Sequence, residues 1–139
     1  TILSALCIAA AIYGEARNQP IDGQVAIADV IRTRVESPHY PDDACRVVFA
    51  KRQFAPATRF HNPTALARAL SIAIAGESLG IDATHFHSGP PPYWADTFII
   101  VGTIEDHTFY MEHRDERQGQ NKMTNVAKTT DGYIIQDAG

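Results

Sequence analysis

Glu15 lies in the stretch Tyr13-Gly14-Glu15-Ala16-Arg17 and follows Ile12 by three residues, Ala11 by four and Ile8 by seven. If helical geometry persists through Gly14, its carboxylate leaves an apolar face. Desolvation there disfavours the charged form and raises the pKa, as a general acid near neutral pH requires. The same position also suits a frayed helix end, solvated or paired to Arg17, and spacing alone leaves both readings open. A second carboxylate, Glu77, is predicted to share a helix face with Leu66, Leu70 and Ala73, where a buried structural charge paired to an arginine is the expected role. His85 and His87 fall on one side of a predicted strand with Phe86 opposite. Joined by His61 or His107, they would offer nitrogen ligands to zinc. No cysteine or carboxylate motif at ligand spacing accompanies them, so no metal or other cofactor is expected. Two surface histidines on an edge strand is the plain alternative.

These groups need elements to hold them. Ile2 to about Tyr13 is predicted as a helix, apolar on several faces and therefore central and buried, with Gly14 weakening its last turn. A second helix is expected to start at a cap on Asn18 or Asp22 and to run to about Val35, ended by Ser37-Pro38. Asp29, Arg32, Thr33 and Glu36 form its predicted wet stripe. A short helix is expected near residues 44–50. A longer helix should be capped by Asn62, carry Pro63 in its first turn and end before Gly80. The pattern then turns to strands: "ATHFHSG", a Pro-rich turn at Pro90 to Pro92, "TFIIVGTI" and "HTFYM". At least one of Phe109 and Tyr110 on the last strand should be core. Residues 112–139 are polar and aperiodic and are expected to form an extension packed loosely on the same domain, with "GYIIQ" as a further short strand. Helices first and a small antiparallel sheet second point to an α+β fold.

The chain has 139 residues, 45% hydrophobic and 20% charged, with a formal net charge of −4 and a pI near 5.8. That length suits one core without disulfides or metals. The acidic balance argues against nucleic acid as a partner, because no basic surplus is present to displace counterions. Cys7 reads as a small buried hydrophobe, and a Cys7–Cys45 disulfide stays open. The opening apolar run lacks a basic flank and is too short to span a bilayer. A first residue of Thr rather than Met marks a fragment, a mature form or a trimmed chain, so a missing targeting segment carries no information.

The stretch "YGEARNQPIDGQVAIADVIRTRV" resembles the SleB-type cell wall hydrolase family, which includes spore cortex-lytic enzymes and related bacterial and phage wall hydrolases. The likeness continues in order through Cys45-Arg46-Val47-Val48-Phe49, Arg52-Gln53-Phe54, "ATHFHSG", Trp94-Ala95 and "HTFY", covering about residues 5 to 111. Three positions depart from the family pattern: Asn18 replaces a glycine, Gln19 a second acidic residue, and Ala55 a frequent serine.

The resemblance implies a lysozyme-like α+β catalytic domain over residues 1–111 and cleavage of glycan strands in peptidoglycan. It makes Glu15 the catalytic acid of a lytic transglycosylase, which cuts between N-acetylmuramic acid and N-acetylglucosamine and leaves 1,6-anhydro ends. Thr84, His85 and His87 would then donate hydrogen bonds to the sugar beside Phe86. Gln53, Phe54, Tyr93 and Trp94 would line a saccharide cleft, aromatic faces covering C–H surfaces and amides meeting hydroxyl and acetamido groups. Phe54 suits a core position equally well. The rival readings are a hydrolytic muramidase or glucosaminidase, a zinc-dependent amidase or peptidase, and a non-catalytic wall-binding module. A monomer acting in the cell wall, periplasm or extracellular space is expected, made by a bacterium or delivered to its wall by a phage.

Overall fold

The computed structural model describes residues 1–51 and 53–113. Arg52 of the Arg-Gln-Phe motif, the predicted strand at "GYIIQ" and nearly all of the expected extension lie outside the described residues. The chain divides into two compact units, Thr1–Leu79 and a second beginning at Gly80.

The first unit is helical: α1 (Ile2–Ala16), α2 (Ile21–Glu36), α3 (Ala44–Val48) and α4 (Pro63–Ala75). Helix α1 packs against the other three, which its alanines permit by letting neighbouring backbones come close. Ala9, Ala11, Ile12 and Tyr13 are buried, whereas the first turns are not: Ile2 is 80% exposed, and Leu3 and Leu6 are also open. The expectation of a buried helix therefore holds best over Cys7 to Tyr13. Thr1 caps α1 by accepting from the Ser4 N–H at 3.1 Å.

Gly14 does not end α1. A Cβ there would stand 1.9 Å from the Ala55 carbonyl oxygen, because the loop at residues 55–57 crosses the helix at this point. The Ala57 N–H also donates to the Ala10 carbonyl at 3.0 Å. The glycine serves a close main-chain approach, so the helix runs on through Glu15 to Ala16.

Helix α2 starts without the predicted side-chain cap. Pro20 is its N-cap, and Asp22 sits inside the first turn, where a negative charge favours the positive end of the helix dipole. Buried Gln24 steadies the preceding turn by donating from Nε2 to the Gln19 carbonyl at 3.0 Å. Asp29 leaves the predicted wet stripe: it is only 3% exposed, lies 3.4 Å from Arg32 Nη1 and accepts from the Leu79 N–H at 2.8 Å. Ser37 turns extended before Pro38, as expected.

Cys7 and Cys45 are joined by a disulfide that ties α1 to α3. Cys7 is thus a covalent tie rather than only a hydrophobe. Helix α4 is capped by Asn62, whose Oδ1 accepts from Ala65 N–H at 3.0 Å, and Pro63 opens it. It stops at Ala75 because Gly76, at φ +69°, takes the left-handed conformation that caps a helix end. The expected stop at Gly80 comes four residues too late. Glu77 consequently lies beyond the helix and is exposed, its main-chain carbonyl accepting from Arg32 Nη1. It is not the buried structural charge that helical spacing predicts.

In the second unit, β1 (His85–Ser88), β2 (Ile99–Ile104) and β3 (His107–Met111) form an antiparallel sheet in the order β1-β3-β2. The pairs His85↔Tyr110 and Phe86↔Phe109 set the register of β1 on β3. A bulge between Ile100 and Gly102 interrupts β2. A 3-10 segment, Tyr93–Thr97, follows the Pro-rich turn. Phe109, Tyr110 and Met111 are all buried.

Candidate functional site

Glu15 stands on the last turn of α1, half-buried, with the Ala55 main chain beside it. Burial raises its carboxyl pKa, and a hydrogen bond from the Ala55 backbone, which favours the anion, offsets part of that rise. Arg17, the alternative partner, is turned elsewhere: its Nη1 donates to the Tyr13 carbonyl at 3.2 Å and its guanidinium lies 5.1 Å from the centre of the Tyr13 ring. Among the described residues no ion pair joins it to Glu15. Burial thus favours the protonated form of this carboxyl, and the backbone donor stabilises the anion once the proton has left.

The loop that brings the Ala55 main chain to Glu15 is held from α2. Arg34 is 3% exposed, and its guanidinium lies 4.9 Å from the ring centres of both Tyr40 and Phe54. Its Nη1 donates to Gln53 Oε1 at 3.0 Å. Gln53 and Phe54, expected as sugar contacts, therefore both engage this arginine. Arg34 and Tyr40 were not among the residues singled out from the sequence. The signal was nevertheless present, because Arg34 follows Ile27 by seven and Ile31 by three on the apolar side of α2.

The second unit carries a ring cluster on one face of its sheet. Trp94 meets His85, His87, Phe98 and Tyr110, with centroid distances from 5.3 to 5.9 Å. His85 stacks on Phe98 at 4.3 Å, and His87 stacks on Tyr110 at 5.4 Å with Nε2 2.7 Å from the phenol oxygen. Burial, with a smaller push from Asp96, raises the Tyr110 pKa, which keeps the phenol protonated. Buried Thr84 lies behind, its hydroxyl 2.9 Å from His85 Nδ1 and donating to Glu112 Oε1 at 3.4 Å.

Thr84, His85, His87 and Trp94 thus come together as the sequence predicts, and Phe98, Tyr110 and Glu112 join them unforeseen. Phe86 does not: its ring packs on Phe109 and His107 on the opposite face. Tyr93, beside Trp94, is 94% exposed. The position of His107 also removes it from the His85/His87 face as a third zinc ligand. The described residues contain no cluster of three or more His, Cys, Asp or Glu side chains arranged to hold a metal ion.

The profile of the family described as Cell Wall Hydrolase matches residues 18–110. The chain belongs to that family. As a cell wall hydrolase it is 49% identical over 47 residues, 34% of its length, to the spore cortex-lytic enzymes of Bacillus subtilis and Oceanobacillus iheyensis. That match covers only 15% and 17% of those enzymes, so the chain corresponds to a small part of them. Among solved structures, this hydrolase resembles the catalytic domain of the Bacillus cereus SleB protein, with a TM-score of 0.63 and 31% identity over 77% of this chain and 88% of that one. It also resembles the catalytic domain of the germination-specific lytic transglycosylase SleB from Bacillus anthracis, with a TM-score of 0.62 and 30% identity over 77% of this chain and 93% of that one. The α+β, lysozyme-like fold class expected from the sequence is the fold of these SleB-type domains.

Proposed function

We propose that this SleB-type hydrolase is a peptidoglycan lytic transglycosylase with Glu15 as its acid and base. The observation that carries the reading is the half-buried Glu15 carboxyl, raised by burial yet met by an Ala55 backbone donor. In the acid form it protonates the oxygen between N-acetylmuramic acid and N-acetylglucosamine, and the C1–O bond breaks. The resulting carboxylate takes the proton from the muramic 6-hydroxyl as that oxygen closes onto C1. A 1,6-anhydro ring forms, the proton lost is regained, and water is not consumed. One carboxyl suffices for this cycle, consistent with Glu77 standing exposed outside its predicted helix.

In the second unit, Tyr93, Trp94 and the imidazoles of His85 and His87 supply aromatic faces and hydrogen-bonding groups suited to binding a sugar. The substrate implies action in the cell wall, periplasm or extracellular space. The Cys7–Cys45 disulfide supports an oxidising compartment of that kind. No helix of the described residues is long and apolar enough to cross a membrane.

Mass spectrometry of digested peptidoglycan tests the reading. Anhydro-muramic ends are expected. Reducing ends would replace it with hydrolysis by the same Glu15, and freed stem peptides would reject glycan cleavage altogether.

A further inference from the structure

Two anchors fix the loop that brings Ala55 to Glu15. Downstream, Ala57 donates to the Ala10 carbonyl at 3.0 Å. Upstream, Gln53 and Phe54 are both held by Arg34, through a 3.0 Å hydrogen bond and a cation–ring contact at 4.9 Å. Only one peptide link separates Phe54 from Ala55, whose carbonyl is seated in the space that Gly14 leaves open. A guanidinium suits the upstream anchor because one flat group can cover two ring faces and still donate in its plane. Tyr40 occupies the other contact, also at 4.9 Å, so the arginine is itself held by the segment after α2.

We propose that Arg34 is a positioning residue for Glu15: by fixing Gln53 and Phe54 it holds the Ala55 main chain against the Glu15 carboxylate. The consequence for the reaction rests on the acid–base role assigned to Glu15 above, whereas the positioning itself does not. Burial and the Ala55 donor push Glu15 in opposite directions, and burial is the larger. A loop released by loss of Arg34 leaves burial less opposed. The carboxyl then becomes a weaker acid, and its anion, needed to take the 6-hydroxyl proton, loses support.

The test is a carbon-13 NMR titration of the Glu15 side-chain carboxyl in the folded parent and in Arg34→Lys, with pH–rate profiles of wall lysis alongside. The Glu15 midpoint should move up by about 1 pH unit, the scale of one hydrogen bond to a charged group. The alkaline limb of kcat/KM should move with it. Should Arg34→Lys fail to fold, the double variant Gln53→Ala/Phe54→Leu removes the loop-side partners while leaving α2 intact, and the same shift is expected. An unchanged midpoint in either folded variant overturns the inference, including the case where melting temperature or activity falls without it. A midpoint that moves, together with a Glu15→Gln variant that lyses walls at the parent rate, upholds the positioning and removes the catalytic assignment instead.

Discussion

The Ala55 main chain lies directly on Gly14: a Cβ at Gly14 would meet the Ala55 carbonyl oxygen at 1.9 Å. This contact lets a loop cross α1 one residue before Glu15 and bring a backbone donor to its carboxylate. Gly14→Ala should therefore destabilise the protein, although alanine is the better helix former by about 1 kcal/mol. Moving backbone to relieve the overlap is expected to cost about 1–3 kcal/mol beyond that gain. Urea denaturation decides the sign, and an unchanged or higher midpoint would mean that the loop does not rest there.

Glu15→Gln should separate activity from stability. Lysis is expected to fall by roughly 10²–10⁴-fold, the range for loss of a general acid–base group. Because burial raises the folded pKa, the contribution of Glu15 to stability is full below its unfolded value and is lost as pH rises through the folded value. Glutamine does not titrate, so the variant should match the parent at acid pH and equal or exceed its melting temperature at pH 8. Melts across that range, paired with lysis rates, check both halves.

His107 should make the sheet sensitive to acid. Burial lowers its pKa, against a smaller opposing effect of Asp106 and a further lowering by His87. The unfolded chain therefore takes up the proton first. Stability is full above the ordinary histidine value of 6.5 and is lost as pH falls through the folded value. His107→Phe, which keeps the ring against Phe86, should flatten the stability profile in that window. Persistence of the parent profile in the variant would place the acid sensitivity elsewhere.

Reducing Cys7–Cys45, or replacing both residues by alanine, should cost about 2–5 kcal/mol, since the bridge spans 38 positions of chain. Calorimetry with and without reductant measures this, and equal melting temperatures would show that the bridge adds nothing.

Tyr93 and Trp94 should respond differently to truncation. Trp94→Ala removes the ring common to His85, His87, Phe98 and Tyr110 and should destabilise by about 2–3 kcal/mol. Tyr93→Ala, at a side chain 94% exposed, should leave the melting temperature unchanged and weaken binding to glycan strands. Normal glycan binding by Tyr93→Ala would remove that residue from the proposed cleft.

The sequence by itself determined the local elements and the family. Asn62-Pro63 announced α4 because a side-chain cap and a preset φ act within one turn, and the alternation in "THFHS" put His85 and His87 on one face because strand geometry is local. Motif order carried the resemblance that the family profile and the SleB-type neighbours bear out. Tertiary structure decided what depends on residues far apart in the chain. Gly14 read only as weakening the last turn of α1, because the loop that needs its missing Cβ arrives forty residues later. Asp29 read as wet because its acceptor role is completed only by Leu79, fifty residues on. Arg34 was not singled out: its place on the apolar side of α2 is legible in the spacing, but nothing local announces that Tyr40 and Phe54 will cover it. The Gly76 stop, which takes Glu77 off its helix, shows the remaining kind of miss: periodicity continues across a position where the backbone has already turned left-handed. Spacing could name Glu15, but its desolvation and its Ala55 partner exist only once the loop has folded onto α1.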